Sequence, residues 1–324
     1  MRMYVKLGLL LAVVLALPVL LPSPEGASGT TRGYPDSMAA LGDSITRAMD
    51  ADPTFFGDQP WYSWSTGYSS IMPSQYYHIR LQNSLIRAYN DAVSGAIMAD
   101  LNGQAVTAVS QGVEYVTILM GGNDVCTGSE ETMTDPDLFS SEFDLAMDTL
   151  TTELPDARIF VASIPNVYRL WDILHTNETA VLTWQYKGIC QSLLLNPTSE
   201  EQVDKDRRDA VRLRNIAFNT KLSEVCAKYP QCRFDNNAVF NSQFGVDEVS
   251  TLDYFHPSII GQANTANLTW GATYEFLAPV GGVAELPDAS DSSGHNYIAL
   301  AGLAAAVLVA LGAGAWYARR RWLL

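Results

Sequence analysis

Met38-Ala39-Ala40-Leu41-Gly42-Asp43-Ser44-Ile45-Thr46 is a short apolar run that stops abruptly at Gly-Asp-Ser. A run of strand length broken by glycine reads as a buried strand that delivers Ser44 to the start of the next helix. Ser44 is thereby a candidate nucleophile. A serine in such a place is more often only a helix cap, so the reading depends on what lies downstream. Three further pieces follow in a compatible order: Ser94-Gly95, Gly121-Gly122-Asn123-Asp124 and Asp253-Tyr254-Phe255-His256-Pro257.

A serine hydroxyl attacks a carbonyl only when a base removes its proton, and a histidine oriented by a carboxylate is the usual base. Asp253 and His256 are three residues apart, close enough for one turn to aim the carboxylate at the imidazole. His256 also precedes a predicted helix over 258–276, with Pro257 at its first position. The partial positive charge of that helix terminus favours the neutral imidazole that a base requires. His78, His175 and His295 have no comparable setting.

The four blocks together resemble the SGNH, or GDSL, family of serine hydrolases over roughly residues 37–276, with Gly-Asp-Ser-Ile in place of Gly-Asp-Ser-Leu. Trp64-Ser65-Thr66-Gly67, Asn90 to Gly95 and Gly121 to Cys126 look most like its phospholipase B-like and lipase-like branch. The resemblance implies a catalytic set of Ser44, Asp253 and His256. It also implies an oxyanion hole made of the backbone N–H groups of Ser44 and Gly95 and the side-chain amide of Asn123. Its fold would be a three-layer α/β/α sandwich around a central parallel sheet of about five strands.

The order of elements read from the residues agrees with that class. Apolar strands are predicted at 38–41, 84–90, 115–120, 158–163 and 232–235, with helical patterns at 97–110, 142–154, 201–228 and 258–276 between and after them. Strands that alternate with helices make a parallel sheet covered on both faces, with every strand C-terminus on one edge. Ser44, Gly95 and Asn123 all follow strand ends and so can meet in one crevice. The segment from Asp50 to Asn83 is rich in aromatics, and its two readings are a cover over the sheet or a wall for an acyl chain.

Residues 1–28 read as a secretory signal, with Arg2 and Lys6 ahead of the apolar run from Leu7 to Leu21. The hydrolase domain is expected over 34–278, a flexible tether over 279–296 and a transmembrane helix over 297–318. Arg319, Arg320 and Arg321 in the tail (319–324) would then stay in the cytoplasm, leaving the domain extracytoplasmic on a single-pass anchor. The other 15 basic residues face 35 acidic ones, so the external part carries −20. That charge argues against nucleic acid and against anionic head groups held by simple attraction.

Four cysteines in an exported chain suit disulfides and allow three pairings. Cys226 and Cys232 bracket a five-residue segment with a turn-favouring proline and are read as one pair, which leaves Cys126 with Cys190. No Cys-x-x-Cys occurs and the histidines are scattered, so neither a metal site nor a cofactor is expected. The expectation is a membrane-anchored esterase or lipase. Its alternatives are a carbohydrate O-deacetylase on the same site and a binding module that kept the fold without catalysis.

Overall fold

A computed structural model describes residues 33–277. The signal (1–28), the tether (279–296), the membrane helix (297–318) and the tail (319–324) lie outside the described residues. Among the described residues no helix is long and apolar enough to cross a membrane.

Five strands form one sheet: β1 (Ser37–Gly42), β2 (Arg87–Asn90), β3 (Tyr115–Leu119), β4 (Arg158–Val161) and β5 (Cys232–Phe234). Their order is β2-β1-β3-β4-β5 and every pair is parallel. The helices are α1 (Gln75–Gln82), α2 (Leu101–Gln111), α3 (Gly122–Val125), α4 (Pro136–Glu153), α5 (Val167–Leu174), α6 (Glu178–Lys187), α7 (Gln191–Leu194), α8 (Gln202–Cys226) and α9 (Ile259–Leu277).

Side chains in a strand alternate between faces, and here both faces are apolar because both are covered. Ala39, Leu41, Val116, Ile118, Ile159 and Val161 pack beneath α2, α4 and α8. Met38, Tyr115, Leu119 and Phe160 face the opposite way, into a smaller cluster with Trp64, Ile79 and Ala266 from the α1 and α9 side. The result is three layers, with β1 and β3 at the centre of the sheet.

Three local expectations change. No helix follows Ser44: residues 43–50 form a run of turns, and Ala48 and Asp50 have left-handed φ values of 51° and 55° that no α-helix accommodates. β2 starts at Arg87 rather than 84, because Asn83 takes the N–H groups of Leu85 and Ile86 into a turn. α4 starts at Pro136 rather than 142, where Asp135 caps the N–H groups of Asp137 and Leu138 and proline fits the first helical position.

The aromatic segment is mostly cover. Trp64 is fully buried and donates its indole N–H to Thr46 Oγ1 at 3.2 Å. Of the two readings of this segment the cover is the one observed, since none of Phe55 to Tyr77 borders the cavity beside Ser44. The region 168–197, which has no clear pattern in sequence, folds as α5, α6 and α7, and Cys190 within it pairs with Cys126. Cys226 pairs with Cys232 at the end of α8.

Candidate active site

β1 ends at Gly42, whose φ of 150° and surroundings demand glycine: a Cβ there would lie 2.3 Å from Leu119 O and 2.5 Å from Thr46 Oγ1. Gln104 of α2 clamps this residue from both sides, accepting from Gly42 N–H at 2.7 Å and donating to Gly42 O at 2.9 Å. The next two residues therefore leave the sheet at a fixed angle. Ser44, 6% exposed, is held over the C-terminal edge of the sheet.

The partner arrives from the far end of the chain. Gln262, fully buried on α9, accepts from Trp64 N–H at 2.9 Å and donates to Ile45 O at 2.8 Å, which locks α9 beside the Ser44 turn. The 253–256 turn precedes that helix and brings His256 Nε2 to 2.7 Å from Ser44 Oγ. On the other side of the ring, His256 Nδ1 lies 2.5 Å from Asp253 Oδ2. Asp253 Oδ1 accepts the N–H groups of Phe255 and His256, so the carboxylate is oriented by its own turn.

A buried carboxylate beside Nδ1 places the proton on that nitrogen, leaving Nε2 as the acceptor for the serine hydroxyl. Burial works against the imidazolium, but the hydrogen bond and charge of Asp253, with Asp43 and Asp50 behind it, outweigh burial and raise the His256 pKa. The expected helix-terminus effect is thus overridden by the carboxylate. Burial likewise opposes the charge on Asp253, yet its bonds to His256 and to the two backbone donors hold its pKa below the ordinary value. Serine, neutral histidine and ionised aspartate in this order can take a proton from Oγ and return it to a leaving group.

The other two blocks converge on the same edge. Gly121, with φ 121°, turns the chain out of β3 where a Cβ would meet Ile164 Cδ1 at 2.5 Å, and the single turn of α3 carries Asn123 into the cavity beside Ser44 and His256. Asn123 Nδ2 donates one N–H to Ala96 O at 2.9 Å, which ties it to the loop carrying Gly95 and leaves its second N–H free to point elsewhere. That loop is in turn bound to β1 through Val93 N–H on Gly42 O. Gly95 itself is exposed, with φ 87°, and borders a neighbouring surface depression rather than the cavity of Ser44.

The cavity opens beside Ser44 and His256 and is walled by Ile164, Val167, Leu170, Val239, Phe244 and Leu268. Asn219 and Asn215 of α8 fix the first two by bonding the backbone of Ile164 and the N–H of Val167. One polar strip crosses this apolar lining: Asn264 Nδ2 donates to Glu248 Oε2 at 2.6 Å and to Ser242 Oγ at 3.2 Å. The walls were not recognised in sequence. Gly261, Asn264, Thr265 and Leu268 do share one face of α9 at helical spacing, and that pattern points to a common lining.

Asp43 is a further residue that sequence reasoning passed over. It is 1% exposed and lines the cavity, and its Oδ1 accepts Ile45 N–H. Burial raises its pKa to about 6 against the backbone donors and the His256 charge that favour ionisation. No group of three or more potential metal ligands occurs among the described residues.

The sequence model of GDSL-like lipases and acylhydrolases matches residues 38–269, the span that contains all four blocks and most of the sheet and its helices. The chain belongs to the GDSL-like lipase/acylhydrolase family. It is accordingly a carboxylic ester hydrolase. Among solved structures, this GDSL-like hydrolase is similar to an extracellular lipase from Streptomyces rimosus (17% identity, 73% of this chain and 99% of that one, TM-score 0.44). It is also similar to a phospholipase A1 from Streptomyces albidoflavus NA297 (16%, 74% and 99%, TM-score 0.44) and to an acetyl xylan esterase (15%, 73% and 98%, TM-score 0.45). Likenesses of this size carry no information about substrate. No curated protein matches the chain.

Proposed function

We propose that this hydrolase is a membrane-anchored, extracytoplasmic serine esterase or lipase that cleaves uncharged or zwitterionic acyl esters through an acyl-enzyme on Ser44. The observation that carries the reading is the unbroken relay from Ser44 Oγ through His256 (2.7 Å) to Asp253 (2.5 Å) at the mouth of an apolar cavity. His256 takes the Ser44 proton as Oγ attacks the ester carbonyl. Asp253 keeps the ring in the tautomer that can accept it. The negative charge that develops on the carbonyl oxygen is met by the N–H groups of Ser44 and Gly95 and by the amide of Asn123. His256 then protonates the departing alcohol, and a water molecule, deprotonated by the same ring, releases the acid.

The anchor rests on sequence: residues 297–318 carry no charged side chain and are followed by three arginines. A second reading, a carbohydrate O-deacetylase, draws on the Ser242–Asn264–Glu248 strip, which offers hydrogen bonds inside the cavity. Hydrolysis of a short aryl ester by the wild type, abolished in Ser44→Ala, is the expected result. Equal rates for the two proteins would refute the assignment. A series from acetyl to medium-chain esters and acetylated sugars separates the readings: rates rising with chain length favour the lipase, and a preference for the acetylated sugar favours the deacetylase. External protease should release the domain from intact cells, and full protection would contradict the topology.

A further inference from the structure

The loop from Asp50 to Gln59, which leaves the Ser44 turn, is held from within. Asp50 N–H donates to Gly57 O at 2.9 Å, Gly57 N–H to Asp50 Oδ1 at 2.6 Å and Thr54 N–H to Asp52 Oδ1 at 2.9 Å. At its base the fully buried Gln59 accepts Asp52 N–H at 2.6 Å and donates to Asp52 O at 3.2 Å and Phe55 O at 2.8 Å. These bonds fix the shape of the loop. Yet the tip carries two phenylalanines in water, Phe55 at 42% and Phe56 at 70% exposure.

Helix α6, which the loop tip meets through Lys187, exposes apolar groups of its own. Lys187, the last residue of α6, lies 5.3 Å from the Phe56 ring centroid, and α6 also exposes Leu182 (65%) and Tyr186 (91%), four residues apart and so on one face. α6 belongs to the surroundings of the reaction centre: Trp184 donates its indole N–H to Tyr254 O and Lys187 donates to Leu252 O, on the turn that presents Asp253 and His256. Exposed apolar groups gathered beside an active site call for a partner.

We propose that Phe55, Phe56, Leu182 and Tyr186 form a docking surface for a zwitterionic phospholipid bilayer and seat the Ser44 site against it. The proposal rests on the anchored reading given above. The chain outside the described residues continues through a tether of 18 residues (279–296) into the apolar run. A flexible chain of that length spans about 5–6 Å times the square root of its residue number, so a bilayer stays within tens of ångströms of the domain. The chemistry of the patch also suits hydrocarbon rather than sugar. One face of Phe56 is taken by Lys187, and Leu182 and the phenylalanines have no hydrogen-bonding groups. The net charge of −20 selects against anionic membranes.

The test uses the full-length chain carrying Ser44→Ala, so that it does not depend on ester hydrolysis. No free cysteine occurs among the described residues and all four cysteines of the chain are paired, so Phe56→Cys adds a single thiol for an environment-sensitive fluorophore. The control is Leu85→Cys, on the turn before β2, where the native side chain is 84% exposed. With phosphatidylcholine vesicles the label at 56 should shift to shorter wavelength and be quenched by brominated lipid severalfold more than the label at 85. Equal quenching at the two positions in protein that floats with the vesicles would overturn the docking surface while leaving the anchor standing. Protein that does not float would overturn both. Shielding of the label by an acetylated polysaccharide and not by lipid would also overturn it. With Ser44 restored, Phe55→Ser/Phe56→Ser should retain hydrolysis of a soluble aryl acetate and lose severalfold on the same acyl group presented in vesicles. An equal loss on both substrates would overturn the proposal.

Discussion

Replacing Asn123 by alanine tests the oxyanion assignment. One N–H of its amide is spent on Ala96 O, and the other is the candidate donor to the substrate oxygen. Loss of one such donor typically lowers kcat by about 10²–10³, or about 2.7–4 kcal/mol. The bond to Ala96 O adds to this, because it holds the loop that presents Gly95. Asn123 and Gly95 are therefore expected to contribute non-additively. The donor acts mainly in the transition state, so KM for a soluble aryl ester should change by no more than a few-fold. One neutral hydrogen bond contributes about 1 kcal/mol, which shifts the midpoint of a domain of this size by about 2–4 °C. Asn123→Asp, with the same outline but no N–H and an added negative charge, should fall at least as far. A kcat for Asn123→Ala within about threefold of wild type would refute the oxyanion role.

The acid limb of kcat/KM should have its midpoint above the ordinary histidine value, since the base must be neutral and the His256 pKa is raised. Asp43→Asn removes one of the charges that raise it and should move that midpoint to lower pH; an unchanged midpoint would show that Asp43 does not act on His256. Trp64→Ala empties a fully buried site and should cost about 3–5 kcal/mol, seen as a fall in thermal midpoint, with acyl-length preference unaltered in the folded protein. Of the disulfides, Cys126–Cys190 closes 64 residues and Cys226–Cys232 only 6. Chain-entropy arguments give about 4 and about 2 kcal/mol, so Cys→Ser at the first pair should lower a denaturation midpoint more than at the second.

The three inner strands were legible because β1, β3 and β4 are apolar runs closed by glycine or proline, and strands buried on both faces leave that pattern uninterrupted, whereas the edge strands β2 and β5 are short and mixed in composition. The site blocks were legible for a related reason: a residue at a strand end needs special backbone geometry, and Gly42 and Gly121 mark it. What the sequence hid is non-local. The turn run after Ser44 is imposed by left-handed φ at Ala48 and Asp50, residues with no local signature for it. The cavity wall is assembled from β4–α5, the 239–249 segment and α9, three stretches that no spacing rule connects. Trp64 illustrates the converse: aromatic content shows that a side chain will be buried and not against what.

The pairing of Gln262 with Trp64 and Ile45 has a consequence for the birth of the protein. Ser44 and the His256 ring that contacts it are 212 residues apart, and the bonds that bring them together involve the last helix of the domain. A chain emerging from its N-terminus therefore exposes its nucleophile long before its base exists. Until α9 docks, Ser44 has no imidazole beside it and is an ordinary alcohol. On the proposed mechanism a chain truncated before residue 256 lacks its base and should not hydrolyse esters.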